Sequence, residues 1–127
     1  MVAGERTVIA YKDYFLAFFR GQSPKVKAKI LETLRMLEVL PFLSSKHFKH
    51  IEGTKRLYEV RVEVGSDIFR IFAFFDHGNL VILGNAFQKK TQKTPSGEIK
   101  KALLIMQQYH NDTNKDENSN NARWNNR

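Results

Sequence analysis

The sequence predicts a single α+β domain: a small antiparallel sheet, made of a three-strand meander with an N-terminal strand added at an edge, flanked by helices. Three observations carry this. A strictly alternating segment, Leu57 to Val64, is followed at turn spacing by two strongly apolar segments, Ile68 to Phe75 and Leu80 to Phe87. Two segments of helical period, each opened by a hydroxyl residue and a proline, precede and follow that meander. The length of 127 residues suits one core and leaves little room for a second.

Taken in order, Thr7 to Tyr11 is β-branched and weakly alternating, the pattern of a short first strand, and a short helix is expected over residues 13–20. Gly21-Gln22 breaks the chain. Ser23-Pro24 then starts a helix, because a serine oxygen accepts from an orphan N–H while proline at the first helical position lacks a donor that would go unused. Val26, Ile30, Leu34 and Leu37 form its apolar stripe, and Pro41 stops it. In Leu57 to Val64, Tyr58, Val60, Val62 and Val64 share one face, and Leu57, Glu59, Arg61 and Glu63 share the other. Gly65-Ser66-Asp67 turns the chain into Ile68 to Phe75, which is apolar on both faces apart from Arg70 and therefore belongs inside the sheet. Asp76-His77-Gly78-Asn79 turns it again into the last strand. Thr94-Pro95 opens the closing helix, with Glu98 in its first turn and Ile99, Ala102, Leu103 and Met106 on its buried side. The domain is expected to occupy residues 1–110. Residues 111–127 are Asn-rich, with Ala122 and Trp124 the apolar exceptions, and read as a disordered tail that a partner orders through Trp124 if at all.

Composition narrows the chemistry. No cysteine is present, which excludes disulfides, thiolate metal sites and thiol catalysis. The longest apolar runs fall far short of the ~20 residues that cross a bilayer, and no secretory signal opens the sequence, so a soluble cytoplasmic protein is expected. Lysine and arginine number 21 against 13 acids, a net charge of +8. The tail carries three bases and three acids, so the excess sits on the expected fold and points to a polyanionic partner.

Arg70 is the most informative residue. An arginine on an apolar strand face must be paired or solvated, because burying it unpaired costs several kcal/mol. Either Glu59 or Glu63 on the neighbouring strand pairs with it, or its planar fork meets a ligand phosphate beside Phe72 and Phe74, and the two readings are compatible. Arg61 alone reads as a solvated surface residue unless its face is the one Arg70 occupies. The run Gln88 to Pro95 contains Lys89, Lys90 and Lys93 and leads into a helix start, so it is either a solvated basic loop or an anion site. Phe87 beside it either stacks on a base or packs in the core. His47, His50, His77 and His110 show no metal-ligand spacing, and no metal site is expected.

Leu57-Tyr58-Glu59-Val60-Arg61-Val62, Phe69-Arg70-Ile71, and Phe87 through Pro95 followed by Glu98-Ile99 together resemble the RelE/ParE toxin superfamily, in particular the phage-derived HigB-like branch of type II toxin–antitoxin systems. The resemblance spans about residues 7–109. It implies a RelE-like sheet flanked by helices and a prophage-type toxin that acts as an endoribonuclease, cleaving messenger RNA on the ribosome without a metal or small-molecule cofactor. Carried onto this sequence, it places Arg70 and Lys90 as the clamp on the scissile phosphate and Arg61 as their support. Lys89, Lys93, Phe87, Lys49 and Lys55 become the expected RNA contacts. The implied partners are the message, the ribosome and a helix-turn-helix antitoxin, with no membrane. Phe69 stands where the family often has tyrosine, Glu59 where ribosome-dependent members often have lysine, and Tyr109 and His110 are the remaining candidates for proton transfer. Two other readings stay open: a ParE-like toxin that binds DNA gyrase without chemistry, and an inactive prophage-derived nucleic-acid-binding module.

Overall fold

A computed structural model describes residues 6–90 and 94–125, with side chains of the last helix described as far as Asn114. Five strands and three helices follow in the order β1 (Thr7–Ala10), α1 (Tyr14–Arg20), α2 (Pro24–Val39), β2 (Phe48–His50), β3 (Leu57–Val64), β4 (Asp67–Phe75), β5 (Leu80–Lys89) and α3 (Ser96–Asn125). The sheet order is β1-β5-β4-β3-β2, with the meander at its centre. The α+β class and the flanking helices are as the sequence predicts, but the sheet is mixed and has five strands. β1 lies at the expected edge yet runs parallel to β5, pairing Thr7 with Leu80 and Ala10 with Leu83. A parallel neighbour needs a long crossover, and here the two helices and the rest of the sheet supply it. The unforeseen β2 pairs antiparallel with β3 through only three residues, too few for a periodic signal.

Each sheet face has its own cover. α1 and α2 contribute Phe15, Val26, Ile30, Leu34 and Leu37 to a core with Val60, Val62, Phe69, Ile71, Ala73, Val81 and Leu83. Ser23 caps α2 as predicted, accepting from the Val26 N–H at 3.3 Å. At its other end the Arg6 guanidinium donates to the carbonyls of Leu37, Leu40 and Pro41, satisfying acceptors that the helix leaves open. On the opposite face α3 sets Ala102 with Ile99 and Leu103 on Leu57 and Phe72, and Met106 with Tyr109 on Phe74 and Ile82.

Two expectations about α3 need correction. The helix starts at Ser96, and the Thr94 hydroxyl, expected at the cap, donates instead to Glu59 Oε2 at 3.0 Å. The helix also continues past residue 110 to Asn125, across the segment expected to be a disordered tail. Just beyond the expected boundary Asp112 accepts from the Tyr11 hydroxyl and pairs with Lys12, contacts between distant residues that a local composition argument does not see. Among the described residues no helix is long and apolar enough to cross a membrane.

Candidate functional site

The hairpin between β3 and β4 sets the geometry. Gly65 takes φ 61° at the first position of a two-residue loop, which glycine adopts at no steric cost. The resulting register pairs Val64 with Asp67 and so places Arg61 directly opposite Arg70. Both project from the face that α3 covers elsewhere. Like charges facing one another across a ladder repel, so each needs its own counter-ion. Arg70 Nη1 donates to Glu59 Oε1 at 2.9 Å, and Arg61 Nη2 lies 2.7 Å from Glu63 Oε1.

The two pairs differ in their surroundings. The Arg70 and Glu59 side chains are 10% and 5% exposed, whereas those of Arg61 and Glu63 are 30% and 40% exposed. Glu59 is held at both oxygens, by Arg70 and by Thr94, and so fixes the guanidinium in place. The Nε–H groups of Arg61 and Arg70 are buried without an acceptor among the described residues. A buried N–H without a partner is costly, and here two of them belong to cations at one opening.

That opening is a cleft of about 500 Å³, lined by Ser45, Lys46, Lys49, Glu59, Arg61, Arg70, Lys89 and Thr94. Among the described residues, five cations line it against one carboxylate. Lys49 stands on β2 opposite Glu59, and Lys89 ends β5 opposite Ile68, so the two lysines flank the arginine pair from opposite sides of the sheet. Burial, reinforced by the charge of Arg70, holds Lys89 below the usual ammonium range. Burial also lowers Arg70 from its ordinary value, opposed by Glu59, and its guanidinium remains a cation.

Of the residues singled out in the sequence, Arg70, Arg61, Lys89 and Lys49 meet in this cleft. Lys90 follows the last residue of β5, is exposed and does not line it, so the lysine beside Arg70 is Lys89. Lys55 is exposed in the turn before β3, away from the lining. Lys93 lies outside the described residues, as do Thr91 and Gln92. Phe87 stacks on Phe72 with ring centroids 5.7 Å apart and joins the core under α3, which favours its packing reading. Tyr109 and His110 pack against Phe74 in the covered part of the face and do not line the cleft. Tyr109 donates its hydroxyl to Asp76 at 2.5 Å. Ser45 and Lys46 carried no sequence signal, because their loop has no period. The pairing of Glu59 with Arg70 was legible as one of two options. Among the described residues no group of three or more His, Asp or Glu side chains is placed to hold a metal.

No curated protein matches the chain. The protein family described as phage-derived Gp49-like protein (DUF891) matches residues 17–107, a span that holds the last part of α1, all of α2, the whole meander and every residue lining the cleft. With that match across most of its length, the chain belongs to the Gp49-like phage-derived family, within the RelE/ParE-like toxin superfamily.

Proposed function

We propose that this chain is the toxin of a type II toxin–antitoxin pair, of the HigB-like kind, and that it cleaves messenger RNA on the ribosome without a metal. The observation that carries the reading is the pair of facing arginines, each tied by one carboxylate and each with a buried Nε–H that has no acceptor among the described residues, at the floor of a lysine-lined cleft. Guanidinium N–H groups suit the non-bridging oxygens of a phosphodiester, and their charge counts most where negative charge grows in the transition state.

In this reading the scissile phosphate rests on Arg70 and Arg61. The neighbouring ribose 2′-oxygen attacks phosphorus, the bond to the 5′-oxygen breaks, and the products are a 2′,3′-cyclic phosphate and a 5′-hydroxyl. Lys89 takes the proton from the 2′-hydroxyl, since its depressed basicity raises the share of neutral amine at working pH. Lys49, on the opposite wall, gives a proton to the departing oxygen. Both line the cleft, Lys49 from β2 and Lys89 from β5, three strand spacings apart and four residues apart along β4, so the two proton carriers stand on opposite walls, as in-line displacement requires. Glu59 acts by holding Arg70. A toxin of this kind needs a neutralising partner, and a helix-turn-helix antitoxin is the one the reading supplies.

The test is primer extension on a defined message in a cell-free translation reaction, with native protein, Arg70→Lys and Lys89→Met, each with and without ribosomes. The reading expects ribosome-dependent cleavage by native protein and loss in both variants. An intact message under conditions where the native chain arrests growth would overturn it and direct attention to gyrase.

A further inference from the structure

Arg61 forms the wall between two recesses. One is the cleft that holds Arg70; the other is a groove of about 300 Å³ whose cationic lining comes from Lys29 of α2, Lys46 of the loop before β2, and Arg61 itself, with His47 beside them. Lys46 lines both, so the recesses adjoin at these two side chains. The groove exists because β2 is short. Its pairing with β3 covers residues 58–60, and the Arg61 N–H then closes on the His47 carbonyl at 2.9 Å. Beyond that bond α2, with Lys29 and Met36, borders the recess in place of a strand.

Two carboxylates stand near these cations, and both are held loosely. Glu63 is bound to Arg61 at 2.7 Å but is 40% exposed, and Glu32 meets Lys29 at 3.4 Å with both side chains exposed. Exposed pairs of this kind contribute about 1 kcal/mol or less, so a phosphate can displace them. A volume of about 300 Å³ lies at the lower end of the range for small-ligand sites, enough for a single nucleotide and not for a duplex.

We infer that a single RNA strand continues from the Arg70 cleft across Arg61 and Lys46 into this groove, where Lys29 and Lys46 take the phosphate next to the scissile one and Glu63 gives up Arg61. The inference rests on the cleft being an RNA site and adds a second phosphate position, making the substrate a single strand of at least three nucleotides. Glu63 then serves as a stand-in anion that holds Arg61 oriented while no strand is bound.

The test measures binding of the full chain to labelled 2′-O-methyl oligonucleotides, which lack the nucleophile, by fluorescence anisotropy across a salt series. A dimer with one internal phosphate and a hexamer are compared for native protein, Lys29→Gln and Glu63→Gln. Native protein should bind the hexamer more tightly, with a salt slope steeper by about 0.7 for each added phosphate contact. Lys29→Gln, a change at an exposed side chain, should weaken the hexamer about threefold to tenfold and leave the dimer unchanged, and Glu63→Gln should tighten the hexamer. Dimer and hexamer affinities that shift equally in Lys29→Gln, or do not shift, overturn the groove assignment while the cleft reading stands. Failure of native protein to bind either oligonucleotide overturns both.

Discussion

Phe72 and Arg70 stand two residues apart on β4, on one face of the sheet, and meet different neighbours. Phe72 is fully buried under α3 with Leu57 and Ala102, while Arg70 is held by Glu59 at the floor of an open cleft. α3 covers the half of the face carrying Leu57, Phe72, Phe74 and Ile82 and leaves the half carrying Glu59, Arg61, Arg70 and Lys89 to charged side chains. The covered half holds the helix by apolar burial. The open half gains from charge pairing and keeps two guanidinium donors without an acceptor among the described residues, an arrangement that suits binding an anion better than stabilising a fold.

The largest expected effect falls in the covered half. Phe72→Ala should cost about 3–5 kcal/mol, read as a lower urea midpoint with unchanged slope, because it removes a fully buried ring beneath α3. This is a large share of the ~5–15 kcal/mol that stabilises a typical domain. A loss below about 1 kcal/mol would mean that α3 does not depend on this contact.

Next comes the open half, where stability and activity should separate. Arg70→Ala leaves Glu59 buried and unpaired and should cost about 3 kcal/mol as well as cleavage. The double variant Glu59→Leu with Arg70→Met should return to within about 1 kcal/mol of native stability, since apolar replacement of a buried pair is often neutral, and should remain inactive. Recovery of cleavage along with stability would make the pair structural only.

Lys89→Met should reduce cleavage about 100-fold with little change in fold stability. Its pH signature has a definite sign. The folded chain holds Lys89 below its ordinary value of 10.5, so between the depressed and the ordinary value the unfolded chain binds more protons and stability rises with pH. Lys89→Met should flatten that rise in denaturation midpoints measured up to pH 10.5. The smallest effect belongs to exposed Lys90, whose alanine variant should stay within about 0.5 kcal/mol of native and keep its cleavage.

These contrasts also show how much the sequence carried. Alternation in Leu57 to Val64, the Ser23 cap and the apolar stripe of α2 were legible because each is a local pattern with a physical period. The facing of Arg61 and Arg70 was within reach, since a two-residue loop at Gly65-Ser66 fixes the register, but it required committing to that loop length. The choice of Lys89 over Lys90 turned on where β5 ends, and strand ends carry weak local signals. β2, Lys46 and the Thr94 bond to Glu59 were not legible, because each depends on distant chain segments meeting. The same holds for α3 beyond residue 110, where Asp112 meets Tyr11 and Lys12.

The most direct test of the central claim, that the open half of this sheet face acts on RNA phosphates, is end-group analysis of a defined message after incubation with ribosomes and native protein, beside the folded double variant Glu59→Leu with Arg70→Met. The account predicts fragments ending in a 2′,3′-cyclic phosphate and beginning with a 5′-hydroxyl from native protein, and none from the variant. An intact message with native protein, or equal cleavage by the variant, would contradict it.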